Sequence, residues 1–277
     1  MSEPKARRVA VVTGGGTGIG SATVRRLADA GYSVLATVRN GDRARELSGH
    51  AAASGKAVRY LALELGDLCQ IEAIAAEVEQ CGGAELLVHN AGFGVFGAVE
   101  DVDGPSTERQ FAVNVFGPLA LTRLLLPGLR ARGGRVIWVG SLAGRIPLPF
   151  QAHYSATKSA IATISDAMRH ELRPHGVFVT CVEPSDFATG FTGSRVVGNR
   201  PGSAYGEAAA RCLREVEKQE TGAPDPDWVA RVIERVARQS SPPARVPVGK
   251  NARLLCLLLR VLPASLAERM IAAHYGL

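Results

Sequence analysis

The residues best suited to chemistry are a tyrosine and a lysine four positions apart, Tyr154 and Lys158, in a stretch with helical apolar spacing. Residues at this separation share one face of a helix. The phenol has an ordinary pKa of ~10, and an ammonium beside it favours the phenolate and brings proton transfer towards neutral pH. Ser141 ends a predicted strand and can hold a substrate carbonyl next to the tyrosine. The pattern predicts acid–base chemistry with Tyr154 as the proton-transfer residue.

A second signal is the glycine-rich turn at 13–20, where Gly14, Gly18 and Gly20 fit the pattern T-G-x-x-x-G-x-G and not G-x-G-x-x-G. Glycines there let backbone N–H groups and a helix N-terminus approach a pyrophosphate. A tight connection alone would also explain them. Because the turn lies between a predicted strand and a predicted helix, we favour a dinucleotide site.

The end of the second predicted strand bears on which dinucleotide binds. A site for NAD usually has a carboxylate there for the ribose hydroxyls, but residues 36–40 contain no acid. Arg39 can instead form charge-assisted hydrogen bonds with a 2′-phosphate. The alternative is an ordinary surface arginine. We expect NADP(H) to be preferred over NAD(H).

Around these motifs, β-branched apolar runs alternate with helical stretches, which predicts an α/β fold of the doubly wound Rossmann type. About seven parallel strands with helices on both faces are expected in one domain, 1–277. The strands are predicted at 8–13, 33–37, 57–61, 86–89, 135–139, 177–182 and 245–248. The helices are predicted at 19–30, 42–54, 68–80, 107–116, 119–130, 154–173 and 228–238, the last capped by Asp227.

Two segments lie outside this alternation. Residues 186–223 are rich in Gly, Ser and Arg with weak periodicity, which predicts a substrate lid over the carboxyl ends of the strands. The C-terminal helical tail, 249–277, has two apolar pieces separated by Pro263. Its leucine run at 254–259 is too short to span a bilayer. We expect it to cover the substrate mouth or pair subunits, with peripheral membrane contact as the alternative.

Composition narrows the possible partners. The net charge is +6, but the basic residues are spread along the chain, so a solvated surface is favoured over nucleic-acid binding. The five cysteines lack metal-ligand spacing, which predicts neither a disulfide framework nor a metal site. The chain opens without a charged and apolar leader, so we expect a cytoplasmic protein with reduced thiols.

Together, residues 13–20, 90–92, Asn114, Ser141, the Tyr154/Lys158 pair and Pro184 resemble the short-chain dehydrogenase/reductase family over roughly 7–190. The resemblance implies a catalytic tetrad of Asn114, Ser141, Tyr154 and Lys158. Tyr154 would protonate the developing alkoxide in reduction, while Lys158 would bind the nicotinamide ribose and tune Tyr154. Asn114 would lie at an irregularity in its helix and hold a water of the proton relay.

The turn motif, the strand ends and the resemblance together predict the cofactor contacts. These are Thr13, Gly14, Gly16, Thr17, Gly18, Ile19, Gly20, Arg39, Glu64, Leu65, Asn90, Ala91, Gly92, Tyr154, Lys158, Pro184 and Thr189. The sequence departs from the family pattern at Ser185, where a glycine is common, and at Glu64, where an aspartate is common. His153, directly before Tyr154, is either a wall of the substrate pocket or plain helix surface.

Residues 36–39 and 147–150 are similar to the hydroxysteroid and retinol dehydrogenase branch of that family. This similarity implies a small hydrophobic alcohol or carbonyl substrate that is steroid-, retinoid- or polyketide-like. The predicted pocket residues, about half of which ordinary core packing would also explain, are Phe93, Phe96, Ile146, Phe150, His153, Phe187 and Phe191.

Two other functions are compatible with parts of the pattern. Sugar-nucleotide epimerases use the same Tyr/Lys pair but usually carry a larger C-terminal domain. A non-catalytic NADP-sensing binding protein would be favoured by an altered tetrad, and here every position is filled. The resemblance also implies a homodimer or homotetramer formed through residues 119–130 and 154–173.

Overall fold

The computed structural model describes residues 8–188, 195–198 and 200–277. At its centre lies a seven-stranded parallel sheet with the strand order β3-β2-β1-β4-β6-β7-β9. Helices cover both faces, which explains why the strands are apolar runs rather than alternating patterns. All seven predicted strands are confirmed, as β1 Val9–Val12, β2 Ser33–Val38, β3 Val58–Ala62, β4 Leu86–His89, β6 Arg135–Val139, β7 Phe178–Pro184 and β9 Arg245–Val248.

Ten helices connect and flank the strands in the described parts of the chain. They are α1 Gly18–Asp29, α2 Gly41–Ala53, α3 Leu68–Gln80, α4 Gly104–Phe111, α5 Gly117–Ala131, α6 Ala152–Leu172, α7 Gly206–Thr221, α8 Asp227–Arg238, α9 Ala252–Val261 and α10 Ala264–His274. Ile71, Leu121 and Ile161 pack on one face of the sheet, while Leu27 and Ile233 pack on the other. The doubly wound, single-domain fold is thereby confirmed.

The strand order brings the predicted chemical residues to one edge. Strands β2 and β4 flank β1 on opposite sides, and a ligand crevice forms outside the carboxyl ends at such a switch point. The glycine turn follows β1, Arg39 follows β2, and Asn90 follows β4. Ser141 follows β6 after one glycine, and Pro184 ends β7.

Three features differ from the sequence-based expectations. A second, two-stranded parallel sheet joins β5 Val95–Phe96 to β8 Val196–Val197. The segment expected to be an irregular lid contains α7, a 16-residue helix. Asp227 was wrongly expected to cap α8, because it lies in the first turn and its carboxylate pairs with Arg26. The carboxylate of Asp225 accepts the Asp227 N–H instead, at 2.7 Å.

Helices α4 and α5 are joined without a break by a π-helical turn, Ala112–Phe116, which contains Asn114. Pro118 explains the turn, since it has no N–H to donate to the Asn114 carbonyl four residues earlier and its ring would clash with that oxygen. The irregularity expected at Asn114 is therefore present. Gly117 lets the helix pass close to Leu65, because a Cβ there would overlap the Leu65 carbonyl oxygen.

This joined helix, Gly104–Ala131, is the one helix in the described ranges whose length and composition would suffice to cross a membrane. Half of its most apolar window is buried in the fold. Its second half packs against α3, as the core helix of a folded domain does. The two apolar helices expected in the tail are present as α9 and α10, with Pro263 between them.

Candidate active site

A cavity of about 1090 Å³ lies across the carboxyl ends of the strands. One end, here called the glycine end, is formed by residues 14–19 and by the chain after β2. The opposite end, here called the leucine end, is formed by residues of α7, α9 and α10. Ser141, Tyr154 and Lys158 line the cavity between the two ends.

Lys158 lies one turn after Tyr154 on α6 and is buried. Its Nζ atom donates a hydrogen bond to the Val139 carbonyl oxygen at 3.0 Å and lies 5.7 Å from the centre of the Tyr154 ring. Burial removes the ammonium from water and lowers the pKa of Lys158 to about 8. The side chain is thus fixed beside the phenol and remains mostly protonated at pH 7.

Burial also governs Tyr154, and it raises the pKa of the phenol to about 12, although a hydrogen bond with Ser141 acts in the opposite direction. The expected lowering of this pKa towards neutrality is not found, because the loss of water outweighs the hydrogen bond with Ser141. Tyr154 therefore keeps its proton at neutral pH and is suited to donate it.

The loop after β6 holds Ser141 against α6. The Ser141 hydroxyl accepts a hydrogen bond from the Ala143 N–H at 3.1 Å, and the Ser159 hydroxyl donates to the Gly144 carbonyl at 2.7 Å. A Cβ at Gly144 would lie 2.8 Å from the Lys158 carbonyl oxygen, so the loop needs glycine to approach the helix this closely.

A buried ion pair fixes the far end of the same loop. Glu183 on β7 is fully buried and lies 2.7 Å from the Arg145 guanidinium and 3.3 Å from that of Arg245. Arg245 also pairs with Asp166 of α6 at 2.6 Å. The network connects the Ser141 loop, β7, β9 and α6, and it was not apparent from the sequence because the paired residues are 38 to 79 positions apart.

Asn114 does not line the cavity; it lies behind the cavity wall, where its side chain orders the chain after β4. Its Oδ1 accepts from the Phe93 N–H at 3.1 Å, while its Nδ2 donates to the Phe93 carbonyl at 2.9 Å and to the Thr157 hydroxyl at 3.2 Å. The Thr157 hydroxyl in turn donates to the Tyr154 carbonyl. A Cβ at Gly92 would lie 3.1 Å from Asn114 Oδ1 and 3.9 Å from Lys158 Nζ, so Asn114 and Lys158 are close neighbours.

The glycine end suits a pyrophosphate. The first turn of α1 starts after Thr17 with no side-chain cap, so its N–H groups are left for a ligand. The Asn90 side-chain amide donates to the carbonyls of Thr13 and Gly14, both at 3.0 Å, and so fixes the turn. The predicted residues that line the cavity here and nearby are Gly14, Gly16, Thr17, Gly18, Ile19, Glu64, Leu65, Asn90, Ala91, Gly92 and Pro184.

Two predicted cofactor contacts, Thr13 and Gly20, lie behind the cavity wall. The Thr13 hydroxyl accepts hydrogen bonds from the N–H groups of Asn90 and Ala91, and Gly20 allows α1 to touch the Gly14 carbonyl. Both residues shape the turn, and neither faces the cavity. Thr189 lies outside the described residues.

Positive charge marks the outer part of the glycine end. Arg39 is exposed, lines the cavity and forms no ion pair with the described residues. Asn40 caps α2 by accepting the Arg43 N–H at 3.0 Å, and both Asn40 and Arg43 also line the cavity. The sequence pattern did not single out Arg43, although an arginine in the first turn after an asparagine cap was available as a signal.

At the other end, the structure brings together only part of the predicted pocket. Phe93, Ile146 and Phe187 line the cavity. Phe96 and Phe150 were wrongly expected there, because they pack on each other at 5.9 Å, behind Val216 and Tyr275. His153, also predicted as a pocket residue, is absent from the cavity lining, because it directly precedes Tyr154 on α6 and adjacent residues on a helix point in different directions. Phe191 lies outside the described residues.

The leucine end consists mostly of residues that the sequence did not reveal. Val216, Gln219 and Glu220 come from α7, and the tail supplies Leu255, Leu258, Leu259, Leu262, Ala267, Met270, Ile271, His274 and Tyr275. A leucine-rich helix has apolar residues on every side, so its sequence does not show which side faces a cavity. The Ser185 hydroxyl, at the position where a glycine is common, occupies the space beside Gly249 that a Cβ would fill.

Other predicted chemical groups are structural. His89 is buried, with its Nε2 2.6 Å from the Thr122 hydroxyl and its ring 4.3 Å from that of Trp138. Burial lowers the pKa of His89 to about 3, so it remains neutral in the core. The five cysteines are free thiols. Within the described ranges, no group of three or more His, Cys, Asp and Glu side chains could hold a metal ion.

Comparison with known proteins agrees with this geometry. A family profile described as short chain dehydrogenase matches residues 8–198. The chain therefore belongs to the short-chain dehydrogenase family of oxidoreductases, with a fold that binds a nicotinamide cofactor.

Two relatives illustrate the range of similarity. A 3-ketodihydrosphingosine reductase of Bacteroides thetaiotaomicron is 29% identical over 90% of each chain. An 11-beta-hydroxysteroid dehydrogenase type 2 of Oryctolagus cuniculus is 30% identical over 98% of this chain and 71% of its own length. The latter similarity supports membership of the hydroxysteroid and retinol dehydrogenase branch.

Solved structures show the same fold. A short-chain dehydrogenase from Streptomyces avermitilis superposes with a TM-score of 0.82 at 30% identity, over 99% of this chain and 98% of that one. A metagenomic short-chain oxidoreductase in complex with NADP gives a TM-score of 0.70 at 29% identity, over 87% and 96% of the two chains.

Proposed function

We propose that this protein is an NADP(H)-dependent dehydrogenase/reductase that transfers hydride between the nicotinamide and a hydrophobic secondary alcohol or ketone. One observation carries the proposal, namely that a single cavity contains both parts of such a site. At one end it has an uncapped helix N-terminus and two arginines, and beyond them it has the cluster of Ser141, Tyr154 and Lys158 and an apolar wall. A dinucleotide can lie along the first part while a carbonyl reaches the cluster from the second.

The cluster supports a proton-transfer step by the protein. In reduction, Tyr154 donates its proton to the oxygen of the substrate, which the Ser141 hydroxyl holds by a hydrogen bond. Lys158 lies at the same place with a positive charge that stabilises the phenolate left on Tyr154. The nicotinamide, when bound, supplies or accepts the hydride. Asn114 orders the chain beside Lys158, and its carbonyl lacks a donor from Pro118, which suits it to hold a relay water.

The preference for NADP(H) rests on Arg39 and Arg43 at the outer glycine end. No carboxylate lines the cavity between residues 37 and 43, and the nearby Glu46 is paired with Arg43 at 2.6 Å, which leaves Arg39 as the cation without an ion pair among the described residues. Guanidinium groups bind a 2′-phosphate through charge-assisted hydrogen bonds. The metagenomic relative binds NADP, which agrees with this assignment.

The substrate class rests on the leucine end, whose wall is largely aliphatic. A pocket of this kind suits a bulky apolar molecule with few polar groups, such as a steroid-, retinoid- or polyketide-like carbonyl. The names of the two relatives above refer to a lipid ketone and to a steroid. We place α7 in the role of the substrate lid, because it lines the cavity with Val216, Gln219 and Glu220.

The same proposal includes a cytoplasmic setting and a homo-oligomer. The free thiols are consistent with a reducing compartment. Phe116 and Leu124 are exposed at and near α5, where subunit contact through α5 and α6 would cover them.

The test is oxidation of NADPH and of NADH with a panel of steroid, retinoid, aromatic and aliphatic ketones. We expect turnover with NADPH, and a loss of kcat of about 10²-fold or more in Tyr154→Phe, because the proton donor is gone while the ring remains. Tyr205→Phe is the matched control, since Tyr205 is an exposed tyrosine that does not line the cavity. Cofactor binding without turnover on any ketone would instead favour a nucleotide-sensing protein.

A further inference from the structure

Half of the large exposed apolar side chains in the described residues lie in the last 24 positions, on and after α9 and α10. They are Leu254, Leu255, Leu257, Leu258, Val261, Leu266, Met270 and Leu277. Scattered exposed apolar residues are ordinary, but a contiguous group marks a surface that another apolar phase covers.

Helix α9 has two apolar faces. Ala252 and Cys256 are buried and pack with Leu142 under the Ser141 loop. On the opposite face, Leu254, Leu257 and Val261 are 55%, 58% and 71% exposed. Their spacing of three and four residues places them in one stripe, and none of them lines the cavity. We call this stripe the outer leucine face.

Basic residues surround the outer leucine face. Arg253 and Arg260 are two helical turns apart, Lys250 precedes the helix, and Arg269 lies on α10. All four are exposed, and none forms an ion pair with the described residues, although many arginines elsewhere in the chain do. An apolar stripe flanked by unpaired cations has the chemistry of a helix that lies in the interface of an anionic bilayer.

The cavity opens at this surface. Leu255, Leu258 and Met270 line the cavity and are also 37%, 40% and 54% exposed, so they mark its mouth. The mouth, on α9 and α10, is therefore adjacent to the outer leucine face of α9.

We propose that α9 and α10 dock on the surface of an anionic lipid bilayer, so that an apolar substrate passes between lipid and cavity without crossing water. The docking rests on the surface described here, and the delivery of substrate rests also on the proposed function. The outer leucine face enters the acyl boundary, while Lys250, Arg253, Arg260 and Arg269 contact the lipid phosphates.

The experiment is co-sedimentation of the full chain with vesicles of equal parts phosphatidylcholine and phosphatidylserine. The variant carries Leu254→Ser, Leu257→Ser and Val261→Ser, and the matched control carries Leu68→Ser and Val99→Ser, which are equally exposed residues elsewhere. We expect wild type and control to bind, more weakly at high salt, and the variant to lose at least ~10-fold in partitioning.

Activity separates docking from delivery. The variant is expected to keep its rate on a water-soluble ketone and to lose rate on a ketone dissolved in the vesicles. No vesicle binding by the wild type, or equal binding by the variant, would overturn the proposal. A change from dimer to monomer in the variant without vesicle binding by the wild type would identify a second copy of the chain as the occupant. If the wild type binds vesicles but reduces no ketone, the docking proposal stands and the proposed function is refuted.

Discussion

Burial sets the protonation of both groups at the centre of the site. It raises the pKa of Tyr154 to about 12 and lowers that of Lys158 to about 8, opposite to what their mutual attraction as a phenolate and an ammonium would produce. As pH rises, Lys158 therefore loses its charge long before Tyr154 loses its proton. The proposed proton donor, Tyr154, remains protonated over the physiological range, and Lys158, proposed to stabilise the resulting phenolate, is the pH-sensitive group.

The proposed preference for NADP(H) rests on single residues and gives a direct prediction. Replacing Arg39 or Arg43 by alanine is expected to raise the KM for NADPH about tenfold or more, because a hydrogen bond to a charged group contributes ~1.5–3 kcal/mol. The KM for NADH should change little, since NADH has no 2′-phosphate. Steady-state kinetics with both cofactors measures the difference.

Arg45→Ala is the matched control, because Arg45 lies on the same helix, pairs with Asp42 and does not line the cavity. An equal rise in KM for NADPH and NADH in the Arg39 variant would contradict the assignment and indicate a general distortion of the site.

Among the elements, the helix from α4 to α5 connects the two halves of the site. Its π turn places Asn114 against Phe93 and Thr157. Gly117, the first residue after this turn, lies against the loop that holds Leu65 at the cavity. The Pro118 that prevents regular helix at this point thus serves both contacts. A change in the register of this helix would move the Lys158 neighbourhood and the cofactor wall together.

We predict that Gly117→Ala lowers the free energy of unfolding by about 1–3 kcal/mol and raises the KM for NADPH, because the new methyl group would overlap the Leu65 carbonyl oxygen. Urea unfolding and cofactor titration measure the two effects. Gly49→Ala is the control, since Gly49 lies inside α2 with open space around it, and there alanine should stabilise by ~1 kcal/mol. Unchanged stability and KM in Gly117→Ala would show that the Leu65 loop moves away from the methyl group without a measurable free-energy cost.

The elements differ in how far the sequence predicts them. The strands of the main sheet were predictable because most are short runs dominated by apolar residues between helical segments. The two-residue strands Val95–Phe96 and Val196–Val197 were not, since two residues have no period. Helix α7 was missed because only Cys212 and Val216 are buried among its residues 206–220, which leaves a mostly polar surface pattern beside the glycine-rich residues before it.

At the scale of the whole molecule, the site combines short-range and long-range information. The glycine end comes from residues within the first 92, in local strand–turn–helix units that the sequence displays directly. The leucine end comes from helices that all begin after residue 205, and their placement depends on tertiary packing that no local pattern encodes. Ser141, Tyr154 and Lys158 lie at the cavity as the sequence pattern predicts, whereas two of the four predicted pocket phenylalanines that the structure describes do not, and most of the aliphatic wall was not predictable.

The stability of the whole domain should depend on pH through His89. Its pKa is about 3 in the folded protein and ~6.5 in an unfolded chain, so between these values the unfolded state binds more protons and stability falls as the pH falls. The loss approaches about 1.4 kcal/mol for each pH unit within that window.

His89→Gln should be less stable than wild type at pH 7, because the substitution removes the packing of the imidazole on Trp138. The difference in free energy of unfolding between variant and wild type should shrink as the pH falls from 6.5 towards 4. Urea unfolding at a series of pH values measures it. His50→Gln, at an exposed end of α2, should behave as wild type throughout. A difference that stays constant with pH would mean that another group controls acid unfolding.

The contact between α1 and α8 has a consequence for how the chain folds during its synthesis on the ribosome. Val229, Ile233 and Val236 of α8 are buried against the face of the sheet that carries Ala10, Val12 and Val88, and Arg26 of α1 pairs with Asp227 and Glu234. The nascent chain completes β1 and β4 more than 130 residues before this cover is synthesised. During that interval only α1 covers this apolar face of the first strands, so part of it stays exposed, and we expect the growing polypeptide to bind chaperones until its last quarter has emerged.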